Sequence, residues 1–134
     1  MRERDVALAY FLREQARKIP RTRGTIANPR RSALLEAANA FRDAARAASL
    51  RSEKLAYYRI AAECYLEADN FEQAGKAYIL AEEHTRAAQV FRQGGLFDEA
   101  VEAIENYRDK VNPQEAENIL SVAKLHYFKN QDLE

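Results

Sequence analysis

The feature that most constrains this chain is a step of thirteen residues. Ala61, Ala74, Ala87 and Ala100 recur at that interval, and so do Tyr65, Tyr78, Phe91 and Ile104. Cys64, Ala77, Val90 and Ala103 form a third series, all small or medium and apolar. Doubling the step to twenty-six pairs Ala62 with Ala88, Phe71 with Phe97, Ala74 with Ala100 and Ala77 with Ala103. Thirteen residues hold about ten helical residues, ~15 Å long, plus a tight turn. Turn-prone residues stand between the blocks at Asp69-Asn70, Glu83-His84-Thr85 and Gly94-Gly95. The two glycines are the strongest break, because glycine tolerates the left-handed geometry of a helix C-cap. An alanine lets a neighbouring backbone approach, and the large residue four positions later lies on the same face. One helix pair cannot bury such a face alone, so pairs of this kind stack.

Composition agrees with helix. The chain holds 25 Ala in 134 residues but only 14 Val, Ile and Thr together, and 4 Gly and 3 Pro. Ala is the best helix former, whereas strands are rich in β-branched residues. The expected class is all-α, with about six to seven helices. Hydrophobic residues at 47% and charged residues at 31% argue for a folded chain rather than a disordered one. No apolar run approaches the ~18–20 residues that span a bilayer, and no signal-peptide pattern opens the chain. Cys64 stands alone, which excludes an internal disulfide. A reducing, intracellular setting, cytoplasmic or nuclear, is the expectation.

Three sections follow from the pattern: an N-terminal helix and basic loop over 1–31, a helical-repeat domain over 32–129, and a frayed polar tail over 130–134. The first helix covers 3–18, with Val6, Leu8, Ala9, Leu12, Ala16 and Ile19 as its apolar positions, and Pro20 stops it. Residues 20–30 hold two prolines and a glycine and read as a loop. The next helix starts at Pro29 to Ser32 and runs to about Ser49, burying Leu34, Leu35, Ala38, Phe41 and Ala45. Ser52 is the expected N-cap of a helix from Glu53 to about Ala68 that carries Leu55, Tyr58, Ala62 and Tyr65. A last helix runs from about Pro113 to Lys129, facing inward with Ala116, Ile119, Leu120, Ala123 and Tyr127.

The stretch Ala61 to His84, AAECYLEADNFEQAGKAYILAEEH, resembles a tetratricopeptide-like helix pair. Ala62, Tyr65, Ala74, Tyr78 and Ala81 stand where that family places small, large, small, large and small residues. The following copy, Ala87 to Tyr107, keeps Phe91, Phe97, Ala100 and Ile104. The step here is shorter than the family's usual unit, and the helix-breaking proline after the second helix is absent. In this it looks more like the compact helical pairs of vesicle-coat and ciliary-transport scaffolds. The segment also resembles helical-repeat regions attached to large helicase-like proteins. The resemblance covers about residues 52–110. It implies a right-handed stack of antiparallel helix pairs, an α-solenoid, and a non-catalytic protein-interaction scaffold, here expected to be a segment of a larger protein.

A search for chemistry finds little. His84 and His126 lack the spacing of a zinc motif, and no CxxC, HExxH, GxxxxGK[ST] or GxGxxG occurs. Cys64 lies in the apolar series beside Glu63, which disfavours a thiolate nucleophile. Glu82-Glu83 and Asp98-Glu99 suit helix N-termini and solvated faces. No enzyme activity, cofactor or metal is therefore expected.

Zero net charge hides a polarity. Residues 1–60 hold 14 Lys/Arg and 6 Asp/Glu, and residues 61–134 hold 7 and 15. Arg17, Lys18, Arg21, Arg23, Arg30 and Arg31 cluster with no acid among them. The simplest reading is that the two halves attract each other, within the chain or between copies. The alternative function is a nucleic-acid- or phosphate-binding accessory module using residues 17–31, attached to a helicase-like protein. Against it, that stretch lacks an aromatic platform for base stacking. Tyr57 and Tyr58 are adjacent and cannot share one face, so Tyr57 joins the basic residues as a candidate partner-binding residue. The partner classes left open are a protein or peptide, a second copy of the chain and, weakly and salt-sensitively, nucleic acid.

Overall fold

A computed structural model describes residues 2–21 and 28–132, and side chains for residues 5–21 and 28–130. Among the described residues the fold is all-helical, with no strand. The helices are α1 (Arg2–Lys18), α2 (Pro29–Ala47), α3 (Arg51–Glu67), α4 (Phe71–Leu80), α5 (His84–Gln93), α6 (Phe97–Asn106) and α7 (Pro113–Asp132). A short 3-10 turn, Arg108–Lys110, precedes α7. Each helix from α1 to α6 packs on the next, and α7 returns onto both α5 and α6.

The middle of the chain is ruled by one turn used three times. The backbone N–H groups of Asn70, Glu83 and Leu96 donate to the carbonyls of Tyr65, Tyr78 and Phe91 at 2.9, 2.9 and 2.8 Å. Just before them, the N–H groups of Asp69, Glu82 and Gly95 donate to the carbonyls of Leu66, Ile79 and Arg92, each at 2.9 Å. This is the paired hydrogen-bond pattern of a Schellman C-cap, which satisfies carbonyls that a helix end leaves orphaned. The pivot residue is left-handed in all three turns, with φ of 59° at Asp69, 60° at Glu82 and 76° at Gly95. Only the last is a glycine, so the first two adopt a backbone that costs an L-residue roughly 1 kcal/mol. Asn70 offsets part of this by capping α4, its side chain accepting from the Gln73 N–H at 3.2 Å.

The longer helices use asparagine followed by proline. Asn28 accepts from the Arg31 N–H at 3.0 Å and Asn112 from the Glu115 N–H at 3.1 Å, with Pro29 and Pro113 at the first helical position. Proline suits that site because its missing N–H has no intrahelical partner there.

The core runs through all seven helices. Ala61, Ala74, Ala87 and Ala100 are fully buried on α3, α4, α5 and α6, and Tyr65, Tyr78, Phe91 and Ile104 are buried one turn later. Ala62 and Ala81 are buried, while Phe71 and Phe97 are half-buried. Tyr65 keeps its hydroxyl satisfied, donating to Asn39 Oδ1 at 2.5 Å and accepting from Arg42 at 3.3 Å. Gly75 marks the tightest contact: a Cβ there would lie 2.3 Å from the Phe91 ring.

Several local expectations are corrected. Helix α3 begins at Arg51 with Leu50 at the N-cap, so Ser52 is a helical residue and caps nothing. The break between α4 and α5 lies at Ala81 to Glu83, and His84 is the first residue of α5 rather than part of a turn. The Schellman pivot at Glu82 sets that position, one full step after Asp69. Leu8 and Tyr127, expected on buried faces, are exposed. On α1 the close contact with α2 is made by Ala9 and Ala16, which turns Leu8 outward. On α7 Ala116, Ile119 and Ala123 face inward, and Tyr127 reaches Asp98 with its hydroxyl instead. Helix α7 extends through Asn130 to Asp132, into the section read as a frayed tail.

Gly75→Ala should destabilise the protein by about 1–3 kcal/mol, although alanine is the better helix former by about 1 kcal/mol. Ala74→Leu and Ala100→Leu should cost a similar amount. Thermal or urea unfolding followed by circular dichroism measures all three, and unchanged midpoints would contradict the close packing of α4, α5 and α6.

Candidate functional site

Two kinds of surface carry chemistry or contacts outside the core. The first is the basic junction where the end of α1, the start of α2 and the end of α3 meet. Arg17 pairs with Glu67 at 2.6 Å, and Arg30 lies 3.9 Å from the same carboxylate. Arg30 also donates to the carbonyls of Arg17 and Ile19 at 3.4 and 3.2 Å. Arg31 Nε donates to the Ala68 carbonyl at 2.9 Å. These guanidinium groups thus cap the C-terminal ends of α1 and α3, where orphan carbonyls and the helix dipole favour a cation. Lys18 and Arg21 are exposed, and Arg23 lies outside the described residues. Arg21, Asn28, Arg30 and Arg31 line a polar cleft of about 240 Å³ together with Glu67 and Asp69. The cleft is therefore of mixed sign.

Tyr57, the other candidate, is half-buried. Its hydroxyl lies 3.4 Å from Glu53, and both line an apolar cleft of about 300 Å³ with Val6, Ala44 and Ala48. Burial and then the Glu53 charge push the Tyr57 hydroxyl above its ordinary pKa, so it is a neutral hydrogen-bonding group.

The polarity of the sequence is expressed partly within the chain. Arg17 and Arg30 meet Glu67, and Arg51 meets Glu82, so cations of the first sixty residues engage acids of the rest.

The second kind of surface is apolar and lies at the two ends of the helix order. On α1, Leu8 and Phe11 are 51% and 58% exposed; on α7, Leu125 and Phe128 are each 61% exposed. Each pair is spaced three apart, so its members are neighbours on one helix face. Beside the α7 pair, Val101, Leu120, Ala123, Lys124 and Tyr127 border an open groove of about 410 Å³. Residue-by-residue reading overlooked these pairs because it assigned apolar residues to the inner face by type. A helical wheel holds the signal, since two large apolar residues fall off the alanine stripe.

The reactive side chains are placed elsewhere. Cys64 is fully buried, and burial above all pushes its thiol up to about 12. His84 is 5% exposed, stacked on Tyr107 with ring centroids 4.0 Å apart, and its Nδ1 has no hydrogen-bond partner. His126 stacks on Phe97 at 4.4 Å. Among the described residues, no group of three or more His, Cys, Asp or Glu could hold a metal ion, and no helix is long and apolar enough to cross a membrane.

Comparison with protein-family models, curated proteins and solved structures found no match.

Burial first, and then the charge of Lys110, lowers the pKa of His84; Glu82 and Asp109 oppose this. In the unfolded chain a histidine takes its proton near pH ~6.5, so below that pH the unfolded state binds more protons than the native one. Stability should therefore fall as the pH drops from about 7 towards 5. His84→Phe, which supplies the aromatic ring found one step away at Phe71 and Phe97, should flatten this part of the curve. Urea midpoints measured at pH 7, 6 and 5 check it, and an equal decline in both proteins would show that other groups cause the loss.

Proposed function

We propose that this chain is a non-catalytic protein–protein interaction scaffold, built as a right-handed stack of antiparallel, tetratricopeptide-like helix pairs. The observation that carries the reading is the pair of large apolar residues left open on each outermost helix, Leu8 with Phe11 and Leu125 with Phe128. Contiguous exposed apolar surface is costly in water and marks contact sites. The turn that recurs every thirteen residues supports the stacked arrangement, because equal units joined by equal turns place successive helices in equivalent relations. The engagement of Arg17, Arg30 and Arg31 within the chain favours this reading over the nucleic-acid alternative, since cations bound to carbonyls and a carboxylate have less to offer phosphate. The buried thiol of Cys64 suits a reducing, intracellular setting.

The test separates the two classes. The tagged chain is recovered from cells with and without nuclease, alongside Leu8→Glu/Phe11→Glu, Leu125→Glu/Phe128→Glu and Lys18→Ser/Arg21→Ser. The scaffold reading expects a nuclease-resistant protein partner that is lost with one apolar pair and retained with the Lys18/Arg21 variant. Recovery of nucleic acid that disappears with the Lys18/Arg21 variant would overturn it.

A further inference from the structure

The two open apolar pairs stand at opposite ends of the helix order and resemble each other. Leu8 and Phe11 on α1, and Leu125 and Phe128 on α7, each form a leucine–phenylalanine pair spaced three apart and more than half exposed. An aliphatic–aromatic pair of this spacing is a ridge that a facing helix can accommodate. The exposed charges beside the two ridges are of opposite sign. Asp5 and Glu14 continue the Leu8/Phe11 row at the same spacing of three, whereas Lys124 and Lys129 flank Leu125 and Phe128. Two exposed apolar faces flanked by opposite charge are complementary between one copy of the chain and the next.

We propose that the chain self-associates head to tail, the Leu125/Phe128 ridge and groove of α7 in one copy docking on the Leu8/Phe11 ridge of α1 in the next. The occupant of each apolar end is thus a second copy. Such a contact is heterologous: each copy offers one donor face and one acceptor face, and both remain open at the ends of the assembly. Association therefore continues past the dimer as concentration rises. It weakens with salt, because the opposed charges are exposed and screened, but is not abolished, because the ridges are apolar. The inference rests on the scaffold reading, in that it treats the end helices as docking faces.

Sedimentation velocity over a wide concentration range tests it with the full chain, Phe11→Glu and Phe128→Glu. Both side chains are largely exposed, so each variant should keep the parent's circular dichroism and melting temperature. The parent should form a concentration-dependent series of species. Each variant alone should associate at least about tenfold more weakly, the loss expected for an aromatic anchor. An equimolar mixture of the two should recover a dimer and stop there, because Phe11→Glu keeps an intact α7 face and Phe128→Glu an intact α1 face. A parent that stays monomeric throughout overturns the inference. So does loss of association in Phe128→Glu alone with no dimer in the mixture, which is the signature of a symmetric α7–α7 contact. A monomeric chain that still holds a nuclease-resistant protein partner leaves the scaffold reading standing, whereas a monomer without one overturns both.

Discussion

Everything in the middle of this molecule depends on Tyr65, Tyr78 and Phe91 doing two jobs at once. Their rings fill the core, and their carbonyls accept the N–H that closes the turn five residues later. Core and turn are therefore coupled through single residues. The ring fixes the azimuth of the helix, and the carbonyl fixes where the helix stops. Because the next alanine of the series follows at a constant distance, the next helix starts with its small residue already facing its neighbour. Burial and hydrogen bonding reinforce one choice of geometry, which is the consistency expected of a sequence with a single folded state.

That geometry requires a left-handed pivot, and the three pivots meet the requirement unequally. Gly95 adopts it freely, Asp69 tolerates it, and Glu82 has no local side-chain reason to favour it. Glu82 instead pairs with Arg51, an ion pair at the surface and so of modest worth. The shared turn survives at Glu82 because the packing of α4 against α5 stabilises more than the backbone costs. The same ordering of magnitudes explains His84. Its imidazole occupies a position where the neighbouring units carry Phe71 and Phe97, and stacking on Tyr107 holds it there with one nitrogen unpaired. In each case a local penalty is overruled by contact with the next helix.

Helix content and the inner faces of α3 to α6 were legible in the sequence, because alanine and large apolar residues recur with a constant period there. Pro29 and Pro113 likewise announced two helix starts through a residue with a specific backbone role. The boundaries of α3 and α5 were less legible. Ser52 and His84 were judged by side-chain type, while the structure sets those boundaries by main-chain hydrogen bonds that any residue can make. The basic stretch illustrates a different limit. Six cations in fifteen residues read as one patch, yet Arg30 reaches carbonyls at the end of α1, and Arg31 a carbonyl and Arg17 a carboxylate supplied by residues far along the chain. Long side chains can point inward or outward from the same backbone position, and only the tertiary neighbour decides. The exposed leucine–phenylalanine ridges were hidden for the converse reason, since apolar type alone does not say which face of a helix is covered.

The order of contacts has a mechanical meaning. Helices α1 to α6 each lean mainly on the next in sequence, and α7 folds back mainly onto α5 and α6. Contacts that are local along the chain close small loops, so little entropy is lost before they form, and chains of this kind fold quickly. The same locality gives tension an easy route. A pull on the two termini meets no strand pairing that ties one end to the other, and the helices can peel away singly or in neighbouring groups. Arg17, which ties α1 to the end of α3, and Arg51, which ties the start of α3 to the turn after α4, reach past the next helix. Under load the Arg17 tie would make the first three helices yield as one block.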